Sequence, residues 1–151
     1  MTEPDGVQSP VDTSPRILAG HYRVERELGR GGMATVFLCT DQRDGGEVAF
    51  KLLDPEISNT VTRERFLREV AFVSELDHPG IPKVIDSGVE GDDPFYAMTF
   101  VSGESLRTRL DREKQLPLPE VARIAREIVK PMKYAHERSI VHRDIKPDNI
   151  L

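Results

Sequence analysis

Apolar residues fall along this chain in two rhythms, and the change of rhythm divides it. "YRVERELG", "TVFLCTD" and "EVAFKLL" each alternate or run apolar for the length of one strand, with Gly-rich or "RDGG" turns between them. Three successive antiparallel strands are predicted. "VTRERFLREVAFVSEL" then sets Phe66, Val70 and Val73 on one stripe with Leu67 and Leu76 beside it, the spacing of an amphipathic helix. That helix is expected to end at Asp77, because "HPG" comes next and the residue before a proline avoids helical angles. "KVIDSGV" and "FYAMTFV" read as two further strands joined by "EGDD", and "SGESL" opens a short helix. From about Glu120 a second long helical pattern carries Val121, Ile124, Ala125, Ile128, Met132 and Ala135 in register. Pro131 lies deep inside it, removes a backbone donor and is expected to kink it. Strands, helix, strands, helices: the class is α+β.

Composition adds boundaries. Residues 1–19 hold three prolines, two serines, two threonines and almost no large apolar group, so they read as a flexible lead-in to a folded part spanning 20–151. With 31% charged and 38% apolar residues, most of the chain has the makings of a core. A net charge of −5 gives no electrostatic footprint for wrapping nucleic acid. The start, "MTEPDGVQSP", lacks the basic patch and apolar run of a signal peptide, and no stretch has the length of a bilayer span. Cys39 is the single cysteine, which excludes an intramolecular disulfide and favours a reducing, cytoplasmic setting; inside its apolar run it reads as an inert core residue. His21, His78 and His136 lack partners at metal-ligand spacing, so no zinc site is expected.

Chemistry enters with "LGRGGMATVF". Gly29, Gly31 and Gly32 form a loop that can lay backbone N–H groups against phosphate oxygens. Read as G-x-G-x-x-A, it also fits a dinucleotide fingerprint, which demands a helix beginning at Ala34. The residues after Ala34 are instead β-branched and apolar, so a strand–loop–strand hairpin over a nucleotide is the better fit, with an ordinary hairpin turn as the plain alternative. Lys51, in "VAFK", sits on an apolar strand where desolvation is unfavourable unless an anion meets it; the plain alternative is a surface lysine on an edge strand. Glu69 on the first helix invites either that lysine or an i,i+4 pair with Arg65.

Taken with the terminal "HRDIKPDN", these pieces resemble the eukaryotic-like serine/threonine protein kinases, most closely their bacterial branch with its Gly-Gly-Met loop. The resemblance runs from about His21 to Leu151, roughly half of a kinase domain. It implies a kinase-like N-lobe of five antiparallel strands plus one helix over about 20–101, and only the start of a helical C-lobe over about 102–151. It further implies ATP and Mg²⁺ as cofactors and protein substrates with Ser or Thr acceptors. Gly29, Gly31 and Gly32 would cover the ATP phosphates. Lys51 would hold the α- and β-phosphates and pair with Glu69, an attraction on the order of 4 kcal/mol at ~4 Å before desolvation is counted. Leu28, Val36 and Ala49 would roof the adenine, Leu151 would floor it, and Met98 would guard its rear or simply fill core. Backbone atoms from Thr99 to Val101 would bind the adenine edge. Asp144 would accept the proton of the attacking hydroxyl, Lys146 would neutralise charge on the γ-phosphate, and Asn149 would bind one Mg²⁺. His142 is expected to be structural, and Arg143 to grip a phosphorylated activation loop.

Three positions depart from the family pattern. Ala34 stands where a third loop glycine is common, Ser139 where a glycine would take a left-handed conformation without strain, and Pro131 within a helix. Family members also continue past "DNIL" to a D-F-G segment with a Mg²⁺-binding aspartate, an activation loop and an A-P-E segment. Two functions are therefore expected as alternatives. One is the first part of an active Ser/Thr kinase; the other is an inactive remnant serving as a nucleotide-binding or regulatory module. The 151 residues alone are expected to transfer no phosphate.

Overall fold

The computed structural model describes residues 15–151. The expected lead-in therefore lies, for residues 1–14, outside the described residues. Its last part is structured: β1 (Ile17–Leu18) pairs antiparallel with β2 (Tyr22–Arg30), and Leu18 is buried. A two-residue strand is too short to carry a period, so nothing in the pattern announced it. The five expected strands come next: β2, β3 (Ala34–Asp41), β4 (Glu47–Leu53), β5 (Val84–Glu90) and β6 (Asp93–Thr99). They make one antiparallel sheet in the order β1-β2-β3-β4-β6-β5. Three helices complete the fold: α1 (Thr60–Ser74), α2 (Leu106–Glu113) and α3 (Leu118–His136). Short 3-10 turns lie at Pro55–Ile57 and Pro147–Asn149. The α+β class and the kinase-like arrangement are as expected.

The alternation along β4 sorts the core into two. Val48, Phe50 and Leu52 point to one face; Ala49, Lys51 and Leu53 point to the other. On the first face Phe50 stacks on Phe95 at 4.5 Å and meets Tyr22 at 5.2 Å. That face closes on itself, because the two edges of the sheet are tied across it. Tyr22 OH donates to Asp86 Oδ2 of β5 at 2.9 Å, and the Ala19 N–H donates to Glu90 Oε2 at 2.6 Å. Cys39 lies in this core, fully buried, and desolvation pushes its thiol up to about 12, as an inert residue requires. On the second face, Ala34, Leu53, Phe66 and Tyr96 form a cluster to which α1 is docked.

α1 begins at a capping box that the pattern did not reveal. Asn59 Oδ1 accepts from the Val61 and Thr62 N–H groups, and Thr62 Oγ1 accepts from the Asn59 N–H. The helix ends at Ser74, before the expected Asp77. Its last carbonyls are taken by the Glu75 and Leu76 N–H groups in a tightened turn, while the Asp77 N–H goes instead to Tyr134 OH of α3 at 3.1 Å. α3 starts two residues before the expected Glu120, since Pro119 falls in its first turn, where a missing N–H is harmless. It continues through Pro131 to His136. Pro131 faces the α1–β5 connection, where a Cβ on Gly80 would come within 3.3 Å of its ring, and Tyr134 packs on His78 at 5.2 Å. Ser139 takes the left-handed conformation expected of it, with φ +63°.

Candidate nucleotide and phosphoryl-transfer site

β2 and β3 are joined by the glycine-rich turn, closed by a 2.8 Å bond from the Gly31 N–H to the Ala34 carbonyl. Ala34 leads into a strand and not a helix, so the dinucleotide reading does not hold. Neither backbone strain nor packing calls for glycine at Gly29 or Gly32: neither has positive φ, and a Cβ would meet nothing within 4 Å. What their absent side chains leave is open space over the sheet, the cradle that a phosphate chain needs. Ala34 departs from the glycine pattern because its methyl belongs to the buried cluster under α1. A register shift between Glu27 and Gly29 leaves Leu28 at a bulge, half-buried, beside the turn.

Two rows of side chains cross the sheet beneath. Val36, Lys51 and Tyr96 face one another across β3, β4 and β6; Leu38, Ala49 and Met98 form the next row. β4 is therefore an inner strand, and the edge-strand reading of Lys51 is excluded. Lys51 Nζ reaches Glu69 Oε1 at 2.5 Å, with the two side chains 21% and 29% exposed. Glu69 thus meets the strand lysine and makes no pair with Arg65. Met98 packs against the α1 cluster, opposite Val84, so its core role is real whatever else it does. The Thr99 N–H is spent on the Lys83 carbonyl at 2.9 Å, whereas no hydrogen bond among the described residues takes the Val101 N–H.

A second cluster sits after α3. Lys146 Nζ lies 3.0 Å from Asp144 Oδ2, and the Asn149 amide nitrogen donates to Asp144 Oδ2 at 3.0 Å and to its carbonyl at 2.8 Å. Hydrogen bonds from Lys146 and then Asn149 hold the Asp144 carboxyl below the usual carboxylate range, so it is kept ionised. The donor set fits a divalent cation beside it: with its nitrogen on Asp144, Asn149 has a hard amide oxygen left to offer. His142 Nδ1 accepts from the Asp144 N–H at 3.3 Å, a contact that shapes the loop. Arg143 takes φ +62°, a conformation no sequence signal marked. The segment is tied to α2 by a 2.8 Å bond from the Leu106 N–H to the Ile150 carbonyl, and Leu151 is 64% exposed. No side-chain hydrogen bond or ion pair among the described residues joins this cluster to Lys51 and Glu69.

The protein kinase domain model matches residues 22–151. The chain belongs to the protein kinase family. Among curated relatives of this kinase chain are the serine/threonine-protein kinase PrkC of Bacillus subtilis, 39% identical over 135 residues, and PknA of Mycobacterium tuberculosis, 37% identical over 147. They match 89% and 91% of this chain, which spans only 21% and 34% of their lengths. The crystal structure of the Mycobacterium tuberculosis PknI kinase domain is similar at a TM-score of 0.74 and 34% identity, over 90% of this chain and 56% of that one. Among the described residues no helix is long and apolar enough to cross a membrane.

Proposed function

We propose that this chain supplies the ATP-gripping half and the catalytic loop of an enzyme that phosphorylates Ser or Thr hydroxyls of proteins. The observation that carries the reading is the Lys51–Glu69 pair. An ammonium on an inner strand, backed by a carboxylate from α1 and lying below a glycine turn with open space, is placed to receive phosphate oxygens. Gly29, Gly31 and Gly32 would cover the phosphates from above, and Lys51 would bind them from the sheet. Leu28, Val36 and Ala49 would enclose the adenine from the sheet side, with Met98 behind it, Thr99 and Val101 at its polar edge and Leu151 below.

Asp144 would orient the substrate hydroxyl and take its proton. An ionised carboxylate is the state that role requires. Lys146, already on Asp144, would move to the transferred phosphate as that charge arrives. Asn149 would hold Mg²⁺, which when bound neutralises phosphate charge. The family resemblance and the names of the relatives, serine/threonine kinases, support the choice of acceptor.

Titration of Mg·ATP into the chain tests the first half. Saturable binding that weakens at least tenfold in Lys51→Met is expected, and equal affinity in the two proteins would overturn the reading. For the second half, transfer to a Ser/Thr peptide is measured with the longest open frame that contains the chain. Transfer abolished by Asp144→Asn is expected, whereas binding without transfer identifies a nucleotide-binding module.

A further inference from the structure

Tyr96 belongs to none of the motifs that led to the site, yet it touches the pair at its centre. The register of β4 and β6 sets it directly across from Lys51. Residues opposed in this way share a face, so phenol and ammonium both emerge on the side covered by α1. Tyr96 is 4% exposed, and its ring packs on Phe66 with centroids 5.6 Å apart. Lys51 Nζ lies 5.7 Å from that ring's centroid. The hydroxyl donates to Glu69 Oε1 at 2.7 Å, the same oxygen that receives Lys51.

We infer that Tyr96 is a positioning residue whose hydroxyl holds Glu69 turned inward, and that it thereby sets where Lys51 reaches into the nucleotide cleft. An ammonium on a flexible four-carbon stem is a poor device for fixing a carboxylate, since it turns as readily to a phosphate. A phenol on an inner strand has two torsions, both locked here by the packing of its ring. It keeps its grip on Glu69 when Lys51 is drawn to an incoming anion. Burial, with the neighbouring Glu69 charge, pushes the phenol well above its usual range, so it remains a donor at any physiological pH. The surroundings leave it little competition. Lys51 of β4 and Tyr96 of β6 are the side chains that hydrogen-bond to Glu69 among the described residues. The cluster around them, with Phe66, Val70 and Val73 of α1 and Val84 of β5, is apolar.

Tyr96→Phe keeps the ring, its packing and its cation–π contact, and removes one oxygen. Its first readout needs no nucleotide: the rotamer populations of the Glu69 side chain in the ligand-free chain, read from three-bond NMR couplings at pH 7. Removing the hydroxyl that fixes the carboxylate should move those couplings in Tyr96→Phe from the values of a single staggered rotamer towards averaged ones. A residue that merely fills volume would shift the melting temperature and leave the couplings in place, and unmoved couplings overturn the proposal. The second readout rests on the function proposed above. Mg·ATP affinity should fall about three- to tenfold in Tyr96→Phe and show no further fall when the same change is made in Glu69→Gln, because the hydroxyl acts through that carboxylate. Equal losses in both backgrounds overturn the proposal. If the unaltered chain fails to bind Mg·ATP, the nucleotide reading falls, and the rotamer measurement on Glu69 still decides the role of Tyr96.

Discussion

Phe66→Ala asks whether α1 is held to the sheet by one side chain. Phe66 is the single fully buried residue of that helix, set among Ala34, Leu53 and Tyr96. Truncating a fully buried phenylalanine removes its transfer free energy and leaves a cavity, together about 3–5 kcal/mol. The aromatic pair with Tyr96, 5.6 Å between centroids, places the expectation in the upper part of that range. Against a domain stability of roughly 5–15 kcal/mol, such a loss is large. The effect should also be local. Phe66 and Glu69 lie three residues apart, on one helix face, so the helix that loses its anchor is the one that carries the partner of Lys51. Urea unfolding followed by circular dichroism gives the global loss, and amide exchange along α1 gives the local one. Val61→Ala, at a position 57% exposed on the same helix, serves as the control and should stay within about 0.5 kcal/mol of the unaltered chain. A loss below about 1 kcal/mol in Phe66→Ala, or α1 amides as protected as before, refutes the idea that this contact fixes the helix.

Two further outcomes are expected from contacts away from the cleft. Asn59→Ala removes the side-chain half of the α1 capping box, the Asn59 Oδ1 that accepts from the Val61 and Thr62 N–H groups, and should lower stability by about 1 kcal/mol, read by urea unfolding, with faster exchange in the first turn of the helix. Asp41 is buried and accepts four hydrogen bonds from Arg43, whose guanidinium holds the Asp41 carboxyl below its usual range. A lowered carboxyl pKa contributes stability above the unfolded value, near ~3.9, and loses it as pH falls through the folded value. Asp41→Asn should therefore destabilise by about 1–2 kcal/mol at pH 7, and the gap between the two proteins should close in urea titrations taken progressively below pH 4.

Elements of the fold could be foreseen where side-chain period and burial agree. β3 and β4 alternate or run apolar because one face packs into the closed side of the sheet, while on the other Ala34 and Leu53 pack with Phe66 of α1. Phe66, Val70 and Val73 marked α1 for the same reason. What escaped is what local pattern does not encode. β1 is two residues of pairing. The end of α1 is decided by Tyr134, which lies 57 positions from the Asp77 amide it engages. The site splits along the same line. Lys51, Glu69, Asp144, Lys146 and Asn149 could be named because they stand in the motifs that carry the family resemblance, and the structure brings them into two clusters. Tyr96 could not, because a tyrosine on an apolar strand reads as core until its hydroxyl is found on Glu69. The left-handed backbone of Arg143 could not be foreseen either, since it leaves no trace in residue type.

The two clusters rest on very different supports, and that difference bears on how the site works. Lys51 stands on an inner strand of a sheet whose edges are tied together by Tyr22, Asp86, Ala19 and Glu90. Glu69 is anchored through Phe66 and Tyr96 in a buried cluster. Asp144 and Asn149 lie on an irregular segment held by exposed bonds among Asp144, Lys146 and Asn149, by one backbone bond to α2 and by a 3.8 Å ion pair from Arg107 of α2 to Asp148. It comes after α3, which exposes Leu118, Val121 and Val129 and buries only Ala135. Local opening is governed by how much buried contact must be broken, so the Asp144–Asn149 segment opens at a lower free energy than the Lys51–Glu69 pair. The ammonium–carboxylate pair is therefore preformed, and the acid and amide groups of Asp144 and Asn149 are the ones most open to rearrangement.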